Sequence, residues 1–191
     1  MQDLIYIHGF NSSPQSQKAQ DTARWLATHH PAVRLHVPTL SYDPEAALLL
    51  LLKTVERCEA APGLIGSSMG GFYATVLAER FGLRAALINP AVHPHRLLAH
   101  YLGENRNYHT GESYVLEPRH VDILKAQEVA RISHPERLWV LLQTGDETLD
   151  YRQAVDYYTG CPQDIFEGGS HAYDNYVERL PGIYAFLKMS I

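Results

Sequence analysis

The sequence predicts an α/β protein with a mostly parallel sheet of about six strands and helices on both faces. Short apolar runs alternate with segments of helical length along most of the 191 residues. Because strands joined through a helix usually pair in parallel, this alternation indicates repeated βαβ units. A chain that is 46% hydrophobic and 19% charged is typical of a globular core, so we expect residues 1–191 to form a single domain.

Each predicted element follows from its local pattern. Strands are expected at 4–7, 34–37, 64–67, 85–89, 138–143 and 164–166, and helices at about 14–29, 44–58, 69–81, 151–158 and 177–187. Asp43 and Pro44 are favourable at the N-cap and first position of the second helix. The apolar run 46–52 within it is far shorter than the ~20 residues that cross a bilayer, so we expect a buried helix and no membrane span.

A candidate nucleophile stands at the centre of the pattern G-x-S-x-G at 66–70. A predicted strand precedes the pattern and a predicted helix follows it. Small residues on both sides of Ser68 allow a sharp turn between them, which raises the serine Oγ above the sheet. We therefore expect Ser68 to be a strained and exposed nucleophile, with a plain Gly/Ser loop as the alternative.

A serine hydroxyl needs a base, and the base needs a group that orients it. Asp146 follows the apolar strand at 138–143, and His171 lies in a glycine-containing loop after the last strand. We predict that His171 is the base and Asp146 the orienting acid. The order serine, aspartate, histidine differs from the orders in chymotrypsin-like and subtilisin-like enzymes.

Two acids close to Asp146 compete for the same role. Glu147 is adjacent and Asp150 follows after a short gap. The short apolar side chain of Leu149 a few residues after the acid favours Asp146. Asp150 remains the second choice.

The loop after the first strand is the second component of an expected oxyanion hole. Such a hole normally uses one backbone N–H just after the nucleophile and one from an earlier strand-to-helix loop. We assign these donors to Met69 and Phe10, with Gly9 giving the loop its backbone freedom. His8 is expected to shape this loop through a hydrogen bond rather than to transfer protons.

With these motifs in this order, the chain resembles the α/β-hydrolase superfamily and, more narrowly, the small bacterial YqiA-type esterases. The blocks that carry the resemblance are 8–14, 66–71, 89–91, 143–154 and 167–172. The resemblance spans nearly the whole chain. It implies a minimal α/β-hydrolase fold in a bacterial cytoplasm, with few strands before the oxyanion loop.

The resemblance also implies hydrolysis of carboxylic esters, with Ser68, Asp146 and His171 at the family's triad positions. The expected mechanism is a covalent acyl-enzyme on Ser68, and the expected partner is a small-molecule ester or thioester. An acyl thioesterase would use the same triad, and a peptidase or a carbon–carbon hydrolase remains possible. A catalytically silent binding protein with this fold is the alternative from another class.

The long interruption at 93–135 lies where hydrolases insert a cap, so we expect a small lid there. Its apolar residues could line an acyl pocket or could simply pack against the core. They are Leu97, Leu98, Tyr101, Leu102, Tyr108, Tyr114, Val115 and Leu116.

Charge and cysteine usage exclude several other classes. The net charge of −5 and the lack of a basic run argue against a nucleic-acid partner. Cys58 and Cys161 follow no metal spacing, and no His-Glu-x-x-His pattern occurs, so we expect neither a metal nor another cofactor. The free thiols indicate a reducing compartment, and the first residues show no secretory signal, so we expect a cytoplasmic location.

Overall fold

Six parallel strands form the central sheet of the protein, whose computed structural model describes residues 2–107 and 109–188. The strands in chain order are β1 (Asp3–Ile7), β2 (Arg34–His36), β3 (Gly63–Ser67), β4 (Ala85–Ile88), β5 (Gly103–Arg106), β6 (Ser113–Leu116), β7 (Leu138–Gln143) and β8 (Gln163–Phe166). The sheet order is β2-β1-β3-β4-β7-β8, while β5 and β6 form a separate antiparallel hairpin. The predicted fold class is confirmed: this is the α/β-hydrolase architecture with a minimal set of strands.

Seven α-helices among the described residues connect and cover the strands. They are α1 (Gln17–His29), α2 (Pro44–Glu56), α3 (Met69–Phe81), α4 (Pro94–Leu98), α5 (Pro118–Gln127), α6 (Tyr151–Tyr157) and α7 (Leu180–Lys188). Single 3₁₀ turns occur at Ala99–Tyr101, Pro135–Arg137 and Tyr176–Arg179. Within the described residues, no helix is both long and apolar enough to cross a bilayer.

Alternation along the buried strands divides the core between the two faces of the sheet. Ile5 and Ile7 of β1 point to the face covered by α2, α3 and α6, whereas Leu4 and Tyr6 point to the face covered by α1 and α7. Both faces of the central strands are therefore buried, which explains their nearly continuous apolar sequences. The predicted placement of helices on both faces is confirmed.

Several element boundaries differ from those predicted, each for a local reason. The first helix begins at Gln17 rather than near residue 14, because a turn closed by a hydrogen bond from Ser16 N to Ser13 O precedes it. β4 ends one residue early because Asn89 adopts a φ of 40°, outside the β region. The last helix is preceded by the 3₁₀ turn at Tyr176–Arg179, so only its second part is α-helical.

The second helix begins as predicted. Asp43 caps α2 by accepting a hydrogen bond of 2.9 Å from Glu45 N, and Pro44 occupies the first helical position. Leu48 and Leu51 of its apolar run are buried, but Leu49 is half exposed. The run thus forms an amphipathic core helix whose outer face still carries leucine.

The insertion at 93–135 contains α4, the β5–β6 hairpin and α5, and α5 packs against both α2 and α4. Of the residues that could line a pocket, Leu98 and Leu116 are buried in the core, and Tyr101, Leu102 and Val115 are about half exposed. Leu97 and Tyr114 line separate clefts that are described below. Tyr108 lies outside the described residues.

Candidate active site

Ser68 lies on the sharp turn between β3 and α3. Its φ of 56° and ψ of −121° are unfavourable for a residue with a Cβ. The turn is held by hydrogen bonds of 3.0 Å from Ser68 N to Ile88 O and from Ala91 N to Ser68 O. The predicted elbow geometry is therefore present, and neighbouring backbone groups on β4 and its following loop maintain it.

Two glycines make this turn sterically possible. A Cβ on Gly66 would collide with the backbone of Gly70, and a Cβ on Gly70 would collide with the carbonyl oxygen of Ile7. α3 therefore starts in direct contact with the end of β1. This contact also brings the loop after β1 close to Ser68, because a Cβ on Gly9 would lie 3.3 Å from Ser68 Cβ.

The three residues proposed from the sequence as nucleophile, base and acid form one hydrogen-bonded chain. His171 Nε2 lies 3.0 Å from Ser68 Oγ, and His171 Nδ1 lies 2.8 Å from Asp146 Oδ2. Because the carboxylate can only accept, Nδ1 carries the proton and Nε2 is free to accept one from the serine. This is the arrangement that a serine nucleophile requires.

The aspartate is ionised and fixed in place. Its side chain is only 2% exposed, and its Oδ1 accepts 2.8 Å hydrogen bonds from Thr148 N and Leu149 N. Burial alone would raise the pKa of Asp146, but the hydrogen bonds from His171 and from these two backbone groups together hold the pKa below its usual value. The two carboxylate oxygens of Asp146 therefore have different partners. Oδ2 contacts the His171 ring, and Oδ1 holds the backbone turn at Thr148 and Leu149.

The two competing acids have different surroundings. Asp150 caps α6 by accepting from Arg152 N, and its side chain is about half exposed. Glu147 accepts a 2.9 Å hydrogen bond from the backbone N of His171, which lowers the pKa of this carboxyl. Neither carboxylate bonds the His171 ring in the described residues, so the geometry favours Asp146 as the orienting acid.

Two neutral amide side chains that were not identified as functional from the sequence hold the histidine loop. Asn89 Nδ2 donates to Ser170 O at 3.0 Å, and its Oδ1 accepts from Gln143 N. Gln143 Oε1 accepts from Ser170 N and Asp174 N, at 3.0 and 2.8 Å. In the sequence each is a polar residue at the end of a predicted apolar strand and belongs to a block that carries the resemblance, but neither signal reveals its partners.

The two proposed oxyanion donors are sequence neighbours of residues at the elbow: Met69 follows Ser68, and Phe10 follows Gly9, on which a Cβ would lie 3.3 Å from Ser68 Cβ. Within residues 2–107 and 109–188, the backbone N–H groups of Phe10 and Met69 form no hydrogen bond. Met69 begins α3, so its N–H is also one of the unpaired donors at a helix N-terminus. Both groups are thus free to bind an oxygen that develops negative charge.

His8 stabilises the loop after β1 through hydrogen bonds. It is 2% exposed, its Nδ1 lies 2.9 Å from Gly9 O, and its Nε2 accepts a 3.2 Å hydrogen bond from Leu40 N. Burial lowers the pKa of His8, although the hydrogen bond to Gly9 opposes this effect. The side chain is therefore neutral at pH 7 and joins the loop to the segment after β2.

The β5–β6 hairpin covers the outer side of the same loop. Tyr114 Oη donates a 2.6 Å hydrogen bond to Asn11 Oδ1, and the Tyr114 ring packs edge-on against Phe10. Asn107 Nδ2 donates to Ser12 O at 3.2 Å. Asn11 has a φ of 51°, so these contacts stabilise a loop conformation that costs energy.

We expect Tyr114→Phe to lower kcat for the expected ester hydrolysis about tenfold, with little change in KM. Removing the hydroxyl frees Asn11, and the resulting displacement of the loop affects the transition state more than the bound substrate. The matched control is Tyr101→Phe, which changes a half-exposed tyrosine of the same insertion. Equal losses in both variants would show that the hairpin does not position the loop.

A cavity of about 620 Å³ is lined by the segments that follow β4 and β7. Ala91, which bonds Ser68 O, and Leu149, which bonds Asp146, are part of its wall. Leu97 and Tyr157 add apolar surface, and Arg96 adds a positive charge. By contrast, the cleft between the oxyanion loop and Tyr114 measures only about 30 Å³.

A family model matches residues 3–188 of the chain, and it is described as uncharacterised protein family UPF0227. The chain belongs to the UPF0227 family. A UPF0227 protein of Shewanella sp. (strain ANA-3) is 27% identical over 192 residues, covering 96% of this chain and 98% of the relative. One from Klebsiella pneumoniae subsp. pneumoniae is 26% identical over 193 residues, covering 96% of this chain and 97% of the relative.

Solved structures show the fold of this UPF0227 chain independently. The mouse alpha/beta hydrolase domain-containing protein 10 superposes with a TM-score of 0.75 at 14% identity, covering 98% of this chain and 90% of its own. Est1E from Butyrivibrio proteoclasticus with bound ferulic acid superposes with a TM-score of 0.72 at 15% identity, covering 97% and 88%. The α/β-hydrolase fold inferred from the sequence is therefore confirmed for the UPF0227 protein.

Proposed function

We propose that this protein is a serine esterase that hydrolyses small carboxylic esters through an acyl-enzyme on Ser68. The observation that carries the proposal is the continuous chain from Ser68 Oγ to His171 and Asp146, with 3.0 and 2.8 Å contacts, on a strained elbow. The backbone N–H groups of Phe10 and Met69, which form no hydrogen bond within the described residues, are the proposed oxyanion donors. Together these are the components of acyl transfer.

The proposed reaction has two steps. His171 Nε2 accepts the Ser68 proton while Oγ attacks the ester carbonyl, and the resulting oxyanion accepts hydrogen bonds from Phe10 N and Met69 N. His171 then gives that proton to the departing alcohol as the acyl-enzyme forms. In the second step His171 takes a proton from a water molecule, whose oxygen attacks the acyl carbonyl. His171 then returns this proton to Ser68 Oγ as the bond between the acyl carbon and Oγ breaks, which releases the acid and restores Ser68. Asp146 keeps the imidazole oriented and stabilises its charge throughout.

The cavity beside Ala91 is the proposed site for the larger part of the substrate. Its volume of about 620 Å³ lies within the usual range for small-molecule pockets, whereas the cleft beside Tyr114 has room for about one water molecule. A bulky acyl or alcohol group therefore fits the cavity beside Ala91 and not the cleft beside Tyr114. The insertion at 93–135 would then act as the lid, with α4 forming part of the pocket wall.

Acyl thioesters are the second substrate class, since the same groups would cleave them and differ only in the leaving group. The Est1E structure was determined with ferulic acid, a carboxylic acid, which agrees with acyl transfer on this fold. A peptidase, a carbon–carbon hydrolase and a non-catalytic binding protein are further alternatives. The proposal also includes a single domain, a cytoplasmic location and a mechanism that needs neither metal nor cofactor.

The proposal is tested with an oxygen ester, a thioester and an amide that share the same butyryl group. We expect the wild-type protein to hydrolyse the oxygen ester, and Ser68→Ala to lose at least about 10³-fold in kcat/KM. Thioesters and oxygen esters also differ in their rates of hydrolysis by hydroxide. A ratio of kcat/KM for the thioester to kcat/KM for the oxygen ester that exceeds the ratio of those two rates would identify a thioesterase. Binding of substrates without turnover by the folded wild type would contradict an enzymatic role.

A further inference from the structure

A second cluster of chemically reactive side chains lies at the opposite end of the sheet from Ser68. Asp3 is the first residue of β1, His36 ends the edge strand β2, and Cys58 follows the end of α2. Asp3 lies five residues before His8, which places it roughly 16 Å along the strand direction from the oxyanion loop. This cluster is therefore separate from the candidate active site.

The three side chains converge although they are distant in sequence. One donor atom from each of Asp3, His36 and Cys58 lies within 4.8 Å of the others. In a tetrahedral zinc site with bonds of about 2.0–2.3 Å, ligand atoms lie about 3.3–3.8 Å apart. The observed cluster needs only small side-chain adjustments to reach that geometry.

One oxygen in the cluster has no hydrogen-bond partner. Asp3 is 1% exposed, and its Oδ1 lies 2.7 Å from His36 Nε2 and 3.9 Å from Arg34 Nε. Its Oδ2 is buried and receives no hydrogen bond from any described residue. A buried carboxylate oxygen without a hydrogen-bond partner is costly, so Oδ2 is an acceptor that a ligand within this cluster would satisfy. An ion pair between Asp3 and His36 alone would leave that oxygen unsatisfied.

We propose that Asp3, His36 and Cys58 bind a Zn²⁺ ion, with water completing the coordination. An aspartate and a cysteine thiolate neutralise the two positive charges of the ion, and a neutral histidine adds a third bond. The thiol proton of Cys58 is released to solvent on binding. Magnesium and calcium require sets of oxygen ligands, so the nitrogen and sulfur donors select against both.

The ion would connect three elements at one edge of the fold. Within the part of the chain that the structure describes, β2 has three residues and pairs with β1 alone, and α2 reaches the site through the turn at Cys58. A metal at this position would hold the edge strand against the helix end. Its expected effect is on stability, while hydrolysis at Ser68 proceeds in its absence.

The test uses the full-length, reduced protein after dialysis against a chelator. Cobalt(II) replaces zinc in such sites and reports its ligands through a thiolate-to-cobalt absorption in the near ultraviolet. We expect one cobalt ion per chain, with this band present in the wild type and in Cys161→Ser, and absent in Cys58→Ser. Cys161 is the matched control because it is the other free cysteine and lies outside the cluster.

Zinc competition and thermal unfolding complete the test. We expect Cys58→Ser and Asp3→Asn each to weaken zinc binding at least about 100-fold. Zinc at 100 times its Kd should raise the Tm of the wild type by about 5 °C or more, with no such shift in Cys58→Ser. Absence of the cobalt band in the wild type, or unchanged zinc affinity in folded Cys58→Ser, would overturn the proposal. The cobalt spectrum of the wild type is measured without any variant. The proposal can therefore still be overturned if a variant fails to fold.

Discussion

A fluorophosphonate probe is expected to label Ser68 and no other serine. Only a serine that is hydrogen-bonded to a base and flanked by free N–H donors reacts with such probes at neutral pH. Mass spectrometry of the labelled peptide, which also contains Ser67, identifies the modified residue from its fragments. The Ser67 side chain is buried, and we expect it to remain unmodified.

Two variants separate the adjacent serines. Ser68→Ala should abolish labelling and lower kcat for esters by about 10⁴-fold or more, while leaving the far-ultraviolet circular dichroism unchanged. Ser67→Ala should keep most of the labelling. An adduct on Ser67, or an unlabelled wild type with a native spectrum, would refute the assignment of the nucleophile.

Asp146→Asn is expected to lower kcat by about 10²- to 10⁴-fold. An asparagine can keep its oxygen on Thr148 N and Leu149 N, which places its NH₂ group toward His171 Nδ1. The imidazole must then accept at Nδ1 and carry its proton on Nε2, so it can no longer deprotonate Ser68. Measurements of kcat against pH would show the loss across the whole neutral range.

Asp150→Asn is the matched control for that variant. It makes the same chemical change four residues away, at the half-exposed N-cap of α6. The side-chain oxygen of asparagine can still accept the hydrogen bond from Arg152 N, so the cap is kept. We expect a loss of less than about tenfold. A larger loss for Asp150→Asn than for Asp146→Asn would reverse the two assignments.

Sequence reasoning could predict the sheet and the triad candidates because both depend on short local patterns. Apolar runs of strand length mark the buried parallel strands, and the glycine spacing around Ser68 marks the turn. The cover of helices on both faces then follows from the general behaviour of parallel sheets, whereas the order of the strands was not predicted. The structure brings Ser68, Asp146 and His171 within hydrogen-bond distance, and their catalytic roles remain predictions.

The remaining features depend on contacts between residues that are far apart in sequence. The amides of Asn89 and Gln143 gain their role only when β4 and β7 lie side by side below the histidine loop. The hairpin of the insertion is similar, because Tyr114 meets Asn11 across about 100 residues. Cysteine spacing likewise gives no indication that Cys58 lies beside Asp3. Local propensity contains no information on such pairs.

The positive φ of Ser68 places the stability of the fold and the proposed reactivity of this side chain in opposition. Glycine adopts a positive φ without the steric cost that a Cβ incurs, so Ser68→Gly should stabilise the fold by about 1 kcal/mol while removing the nucleophile. A library at this position selected only for heat resistance would therefore enrich glycine and lose hydrolysis. If Ser68 is the nucleophile as proposed, its reactivity is gained at the expense of a more stable chain.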